Sequence, residues 1–263
     1  MIINLFHNDA LEQLDIFIKQ GLIFNAVIAD LPYGTTQNKW DKKIPLDLMW
    51  DKLRKIVKPN GAIIMFSDGI FTAELKISNK SHWKYDLTWD KMSSTGFLNA
   101  SHMPLRVHET ISLFYQKTPT YNPQKTKGKP NHSRKTNVVK SNNNYGSFQY
   151  VDNSKELGNM KFPTSIIRIP KVHSSKTIHS TQKPIALMEY LVKTYTNAGD
   201  TVLDFVMGSG STILACNNLD RNVYGVDNGI CEKKKIIKGK QIYGKTWKEV
   251  VEIQLSKAPG QLF

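Results

Sequence analysis

The stretch "NAVIADLPYG" (25–34) is a run of mostly small apolar residues that stops at a carboxylate, Asp30, followed by Leu31, Pro32 and Tyr33. A carboxylate and a neighbouring backbone carbonyl can both accept from one exocyclic amino group. That arrangement favours the pyramidal form whose lone pair is free to attack. Asp30 and the carbonyl of Leu31 have this chemistry, Pro32 holds the corner through its locked φ, and Tyr33 offers a π-face for stacking a base. A bare D-x-P-Y fits a second reading still better: Asp30 as a helix cap, with Tyr33 packed in the core.

A second stretch, "DTVLDFVMGSGSTILACNNLDRNVYGVDN" (200–228), runs from an apolar strand through Gly208-Ser209-Gly210 into a helix, then along another strand to Asp227. Glycines at such a turn let a ligand approach the backbone, and the helix start offers unpaired N–H groups. An acid about 20 residues on can accept from ribose hydroxyls. The stretch reads as a nucleoside-binding βαβ unit. Ile213 stands where a dehydrogenase G-x-G-x-x-G has its third glycine, so the dinucleotide fingerprint fits poorly.

Both stretches need a sheet to hold them. "FNAVIAD" (24–30), "GAIIMFS" (61–67) and "ETISLFYQK" (109–117) read as strands and "PLDLMWDKLRKIV" (45–57) as a helix. "KPIALMEYLVKTYT" (183–196) opens a second α/β run. Between them the chain is polar and rich in Asn, Lys, Ser, Gly and Pro, which argues for loops or a small lobe. The expected division is an α/β part over 1–117, a basic insert over 118–178 and a second α/β part over 179–263.

The chain carries 36 Lys and Arg against 22 Asp and Glu, a formal net charge of +14. Between Lys117 and Lys183, thirteen Lys or Arg accompany two acids, so this quarter of the chain holds +11 of the surplus. Such clustering favours a polyanionic partner over mere solubility. No apolar run reaches the roughly 20 residues of a spanning helix, and the first residues lack the pattern of a secretory signal. Cys216 and Cys231 have neither disulfide nor metal-ligand spacing. The chain therefore reads as cytosolic and reduced, with no metal site and no membrane partner expected.

Together, "DLPY" and "DFVMGSGST" resemble the β group of DNA adenine-N6 methyltransferases. Those enzymes carry D-P-P-Y at the target site and a later F-x-G-x-G turn for S-adenosylmethionine. "KPNGAIIMF" (58–66), "RVHETISLFYQK" (106–117) and "TQKP" (181–184) add to the resemblance, which covers roughly 24–117 and 179–229. It implies an α/β fold: a Rossmann-like methyltransferase sheet of seven strands, mostly parallel with one antiparallel, and helices on both faces. The basic stretch would be a target-recognition insert.

Carried over by matching position, the resemblance makes Asp30, Leu31, Pro32 and Tyr33 the catalytic pocket for the target amine, with Asp30 also bordering the cofactor. Asp204, Phe205, Gly208, Ser209 and Gly210 would hold the methionine part of S-adenosylmethionine, Asp227 its ribose, and Thr181 with Lys183 would lie near its carboxylate. Three positions depart from the pattern: Leu31 replaces the first Pro, Phe205-Val206 stands where the family has Pro-Phe, and Asp227 replaces a Glu. The implied reaction is direct methyl transfer to N6 of an adenine flipped out of duplex DNA. An N4-cytosine enzyme is the nearest alternative, although that group usually has Ser in place of Asp30. A nucleic-acid-binding module with a decayed cofactor fold is another, and intact Asp30, Tyr33, Gly208 and Gly210 speak against it. The implied setting is the cytoplasm, as monomer or homodimer, with a restriction endonuclease, where one accompanies it, acting separately.

Overall fold

The computed structural model describes residues 1–36, 38, 41–130, 139–144, 146–149, 154–179 and 181–256. Eight strands form one sheet: β1 (Ile3–Phe6), β2 (Phe24–Asp30), β3 (Val57–Ser67), β4 (Trp83–Thr95), β5 (Arg106–Phe114), β6 (Ile166–Arg168), β7 (Thr201–Asp204) and β8 (Asn222–Val226). Their order in space is β1-β8-β7-β2-β3-β5-β4-β6. Only β5 runs against its neighbours, pairing antiparallel with both β3 and β4, while every other pair is parallel. The mostly parallel sheet with one antiparallel strand is therefore present, but with eight strands rather than seven. The strand at one edge, β6, comes from "SIIRIP" (165–170), inside the stretch read as insert, and lies alongside Thr88–Asp90 of β4.

The apolar run of β2 is buried on both faces, as a central parallel strand must be. Its pleat sends successive side chains to opposite sides. Ile28, with Ala62, Ile64 and Phe66 of β3, enters one core, whereas Val27 and Ala29, with Ile63 and Met65, enter another. Helices α1 (Ala10–Lys19), α2 (Leu46–Ile56) and α3 (Gly69–Ser78) cover the second core through Leu14, Phe17, Met49, Leu53, Phe71 and Leu75. Helices α4 (Ile185–Tyr195), α5 (Ser211–Asn218) and α6 (Trp247–Leu255) cover the first through Leu187, Leu191, Ile213, Ala215, Val250 and Ile253. Local chemistry sets the ends. Asp9 accepts from the N–H groups of Leu11 and Glu12 to start α1, and Thr246 with Glu249 forms a capping box on α6.

Residues 123–164 make a second compact unit. In it Thr126–Lys127 pairs with Met160–Lys161 and Val139–Asn142 with Gly146–Gln149, both antiparallel. The Lys125 ammonium sits 4.8 Å from the centre of the Phe162 ring. Arg134 and Lys135, which belong to the basic cluster, lie outside the described residues. No helix among the described residues is long and apolar enough to cross a membrane.

Candidate active site

Three adjacent strands, β2, β7 and β8, lead at their carboxyl ends to Asp30, Asp204 and Asp227. This is the edge at which open α/β sheets take their ligands.

Asp30 Oδ1 accepts from the Tyr33 hydroxyl at 2.8 Å and Oδ2 from the Lys183 ammonium at 2.6 Å. Its partners are two side chains and not helix N–H groups, so the cap reading fails. Tyr33 stacks on Phe71 with ring centres 5.3 Å apart. Lys183, only 6% exposed, also lies 3.1 Å from Glu109 Oε2, and Glu109 Oε1 lies 3.4 Å from Lys91 Nζ. A chain of alternating charge thus runs Asp30–Lys183–Glu109–Lys91 beneath the strand ends. Asp30 keeps 20% of its side-chain surface accessible, which leaves room for an incoming donor.

The burial of these groups sets their protonation. Burial raises the Asp30 pKa above the ordinary carboxylate value, opposed by Lys183 and reinforced by Glu109. For Lys183, burial alone would favour the neutral amine, but the Asp30 and Glu109 carboxylates outweigh it and hold the ammonium above its usual value. Burial likewise pushes Glu109 up, and Lys183 with Lys91 more than reverses this, so its carboxyl ends below the usual range. Burial and the Asp30 charge drive the Tyr33 phenol well up, keeping it a donor.

The second group is built on the turn after β7. Asp227 Oδ2 accepts from the Gly208 N–H at 2.9 Å and Oδ1 from the Gly229 N–H at 2.7 Å. Gly208 has φ +47°, and a Cβ there would meet nothing closer than the His179 ring at 4.0 Å. That side of the turn is open to an approaching ligand. Gly210, at φ +77°, is different, because its Cβ would fall 2.4 Å from Val251 Cγ2 on α6. Gly210 therefore lets α6 pack on the turn. Gly210→Val should lower stability by roughly 2–5 kcal/mol through overpacking and a left-handed side chain; urea denaturation checks it, and an unchanged midpoint would refute it.

The Ser209 carbonyl accepts from Gln254 of α6 at 2.9 Å, and the Ser211 hydroxyl donates to the Lys183 carbonyl at 2.7 Å. The latter bond ties "TQKP" to the turn and so brings the two groups of residues together. Thr181 is exposed, with its hydroxyl 3.0 Å from His179 Nδ1. Burial, with the Lys183 and Lys233 charges, depresses His179 to about 4, so its ring is neutral at neutral pH.

Asp204 is 3% exposed and accepts from the Val206 N–H at 3.2 Å. Burial pushes its pKa up to about 7, against the hydrogen bond from the Val206 N–H. A carboxyl with a raised folded pKa stabilises most below its unfolded value, and that contribution disappears as pH rises through the folded value. Ligand-free Asp204→Asn should consequently gain on wild type between about pH 4 and 7, by about 1.4 kcal/mol for each pH unit that separates the folded pKa from the unfolded one. Urea denaturation at pH 5 and pH 8 tests this; a constant difference would show that Asp204 stays ionised throughout.

Residues 24–238 match the DNA methylase family of N6 and N4 methyltransferases. The chain belongs to this family. It is 26% identical over 220 residues to the type II methyltransferase M1.MboII of Moraxella bovis, covering 76% of this chain and 82% of the relative. Against M.HpaI of Haemophilus parainfluenzae, identity is 24% over 216 residues, and the match covers 76% of this chain and 63% of that protein. Among solved structures, the M1.HpyAVI complex with S-adenosylmethionine superposes with a TM-score of 0.57 at 24% identity, covering 87% of this chain and 94% of that one. The cytosine-N4-specific PvuII DNA methyltransferase gives a TM-score of 0.61 at 13% identity, covering 96% and 91%. The Rossmann-like methyltransferase fold is thus shared.

Within this methylase, two residues take places that the sequence does not suggest. Phe205 is fully buried in the core beneath α1–α3, so its ring belongs to the packing and has no face free for a cofactor. Lys183, expected near a cofactor carboxylate, spends its charge on Asp30 and Glu109. Glu109 and Lys91 extend the charge chain from Asp30 and Lys183, and the motifs alone do not mark them. A signal for the first is present in "RVHETISLFYQK", where an acid interrupts a strand whose following residues are all apolar or small.

Proposed function

We propose that the chain is an adenine-N6 DNA methyltransferase using S-adenosylmethionine, acting on a base flipped out of duplex DNA. The observation that carries this reading is the Asp30 carboxylate, held at a strand end by Tyr33 and Lys183, beside a glycine turn whose acid is already oriented. The residues fit the cofactor: the Gly208 backbone is open on one side, and both Asp227 oxygens retain acceptor capacity beyond the N–H bonds they hold. Bound there, S-adenosylmethionine supplies a methyl group activated by its sulfonium. The protein's part is placement and exclusion of water. Asp30 and the Leu31 carbonyl accept from the amino group, Tyr33 stacks the base with Phe71 behind it, and the Lys183 charge opposes the burial that raises the Asp30 pKa.

Asp30 favours adenine over cytosine, since the N4 pattern prefers Ser there. The shared fold does not discriminate, because a cytosine-N4 enzyme superposes equally well. Incubating the protein with labelled S-adenosylmethionine and duplexes containing only adenine or only cytosine as acceptor amine tests the reading; label on cytosine, or on neither, would overturn it. In keeping with its type II relatives, we place the enzyme in restriction–modification in the cytoplasm, any cognate endonuclease acting separately.

Duplex binding falls to cations such as Lys125, Lys127 and Lys129, all exposed. Affinity should drop steeply with salt, and replacing the three by Ala should flatten the log–log slope by as much as about 0.9 for each phosphate no longer neutralised. Fluorescence anisotropy across a salt series reads the slope directly; an unchanged slope would exclude these lysines from the interface.

A further inference from the structure

The connection from β4 to β5 carries a set of apolar side chains held out to solvent. After Gly96, at φ +85°, a single helical turn Phe97–Asn99 presents Phe97 and Leu98 at 76% and 82% exposure, and Met103 follows at 56%. Apolar groups displayed on a formed turn mark a surface meant to be covered. Their position is defined by the sheet. Asp30 pairs with Phe66, Phe66 with Ile111, and β5 continues from there to Arg106, about 16 Å further at ordinary strand rise. The loop therefore stands beyond the strand ends that hold the target-amine carboxylate, on the two strands that bear Lys91 and Glu109.

Its charge indicates the occupant. Between Asp90 and Glu109 there is no Asp or Glu, while Lys91, His102, Arg106 and His108 fall in the interval with Ser93, Ser94, Thr95, Asn99 and Ser101. Lys91 and Arg106 are paired, with Glu109 and Asp68. With no carboxylate of its own beyond those two ion pairs, and with hydroxyl, amide and imidazole groups around an apolar tip, the segment suits a partner that has acceptors along its edge and flat apolar faces inside, which is a stacked duplex. We propose that the 96–105 loop is a wedge: Phe97 and Leu98 enter the base stack and fill the space left by the extruded nucleotide. Inserted Phe and Leu side chains are a known means of unstacking bases. Their contribution goes to extrusion, not to methyl transfer. The inference rests on the base-flipping reading above.

The test uses the double variant Phe97→Ala, Leu98→Ala and the duplex site at which wild type is found to methylate plasmid DNA. That site is presented with its normal partner base or opposite an abasic position, where extrusion needs little help. The variant should fold as wild type does, bind S-adenosylmethionine unchanged, and methylate the normal duplex at least tenfold more slowly in single turnover. On the abasic duplex most of that defect should vanish, and 2-aminopurine at the target position should brighten less with the variant than with wild type. An equal defect on both duplexes, or none on either, would overturn the wedge. So would a wild-type dimer that the variant dissolves in sedimentation, since the patch would then belong to a second copy. A wild type that methylates no plasmid site removes the methyltransferase reading itself, and the wedge with it.

Discussion

Replacing Asp30 by Asn is expected to abolish most turnover while leaving a folded, DNA-binding protein. The side chain keeps its shape but loses the charge that, in the proposed reaction, accepts from the target amine. Charge-assisted hydrogen bonds are roughly twice as strong as neutral ones, and more so where water is excluded. A loss of at least about a hundredfold in single-turnover rate, ~2.7 kcal/mol, is expected. Duplex affinity should stay within a few-fold, because the phosphate contacts proposed above fall to Lys125, Lys127 and Lys129. Stability should also fall, since the Lys183 ammonium would keep only Glu109 as a full counter-charge. Near-normal methylation by Asp30→Asn would remove this carboxylate from the chemistry, whatever happened to stability. Tyr33→Phe is the companion variant: it deletes the 2.8 Å bond to Asp30 but keeps the ring, so it should be much the milder of the two.

How much of this can be read from the sequence depends on whether the signal is local. "FNAVIAD" is a strand with the expected bounds, Phe24–Asp30, because a short apolar run ending in a carboxylate and Pro leaves few alternatives. The Gly208–Gly210 turn is legible for the same reason, although the separate duties of its glycines are not. Gly210 is required by Val251, forty-one residues away in the chain, and no periodicity reports such a contact. Lys183 reads, by its motif position in "TQKP", as a residue near the cofactor carboxylate, and nothing next to it in the chain points to an acid partner. Its partners Asp30 and Glu109 are 153 and 74 residues distant, and a buried ion chain looks from the sequence like scattered surface charge. Phe205 fails in the opposite sense. A matching motif position suggests a ligand, but the pleat at the end of β7 sends residues 203 and 205 to the same core. The edge strand β6 escapes notice because its apolar residues, Ile166 and Ile167, are embedded in a polar, proline-bounded stretch.

Lys183→Met should produce the other large effect, and one with a characteristic pH dependence. The substitution leaves Asp30 and Glu109 in a shared buried site without the ammonium between them. Breaking a buried pair from one side typically costs about 3–5 kcal/mol, and urea denaturation near neutral pH should show a loss of that order. The pKa of Asp30, already raised by burial, loses its principal opposing charge and rises further. The stability defect should be smallest at low pH, where both acids are protonated in the folded and unfolded chains, and should grow as pH rises through the raised folded pKa. Activity should move the other way. If the amine needs the ionised carboxylate, the variant's single-turnover rate should climb with pH wherever the protein remains folded, over a range in which wild type is level. Glu109→Gln provides the control of opposite sign, because the Glu109 charge raises Asp30 and its removal lets Asp30 ionise more readily. That variant should lose stability without any alkaline shift in its rate profile. A Lys183→Met defect of constant size at every pH would mean that Lys183 supports the site through other contacts, such as its ammonium 4.9 Å from the centre of the Phe66 ring, and not by holding the charge on Asp30.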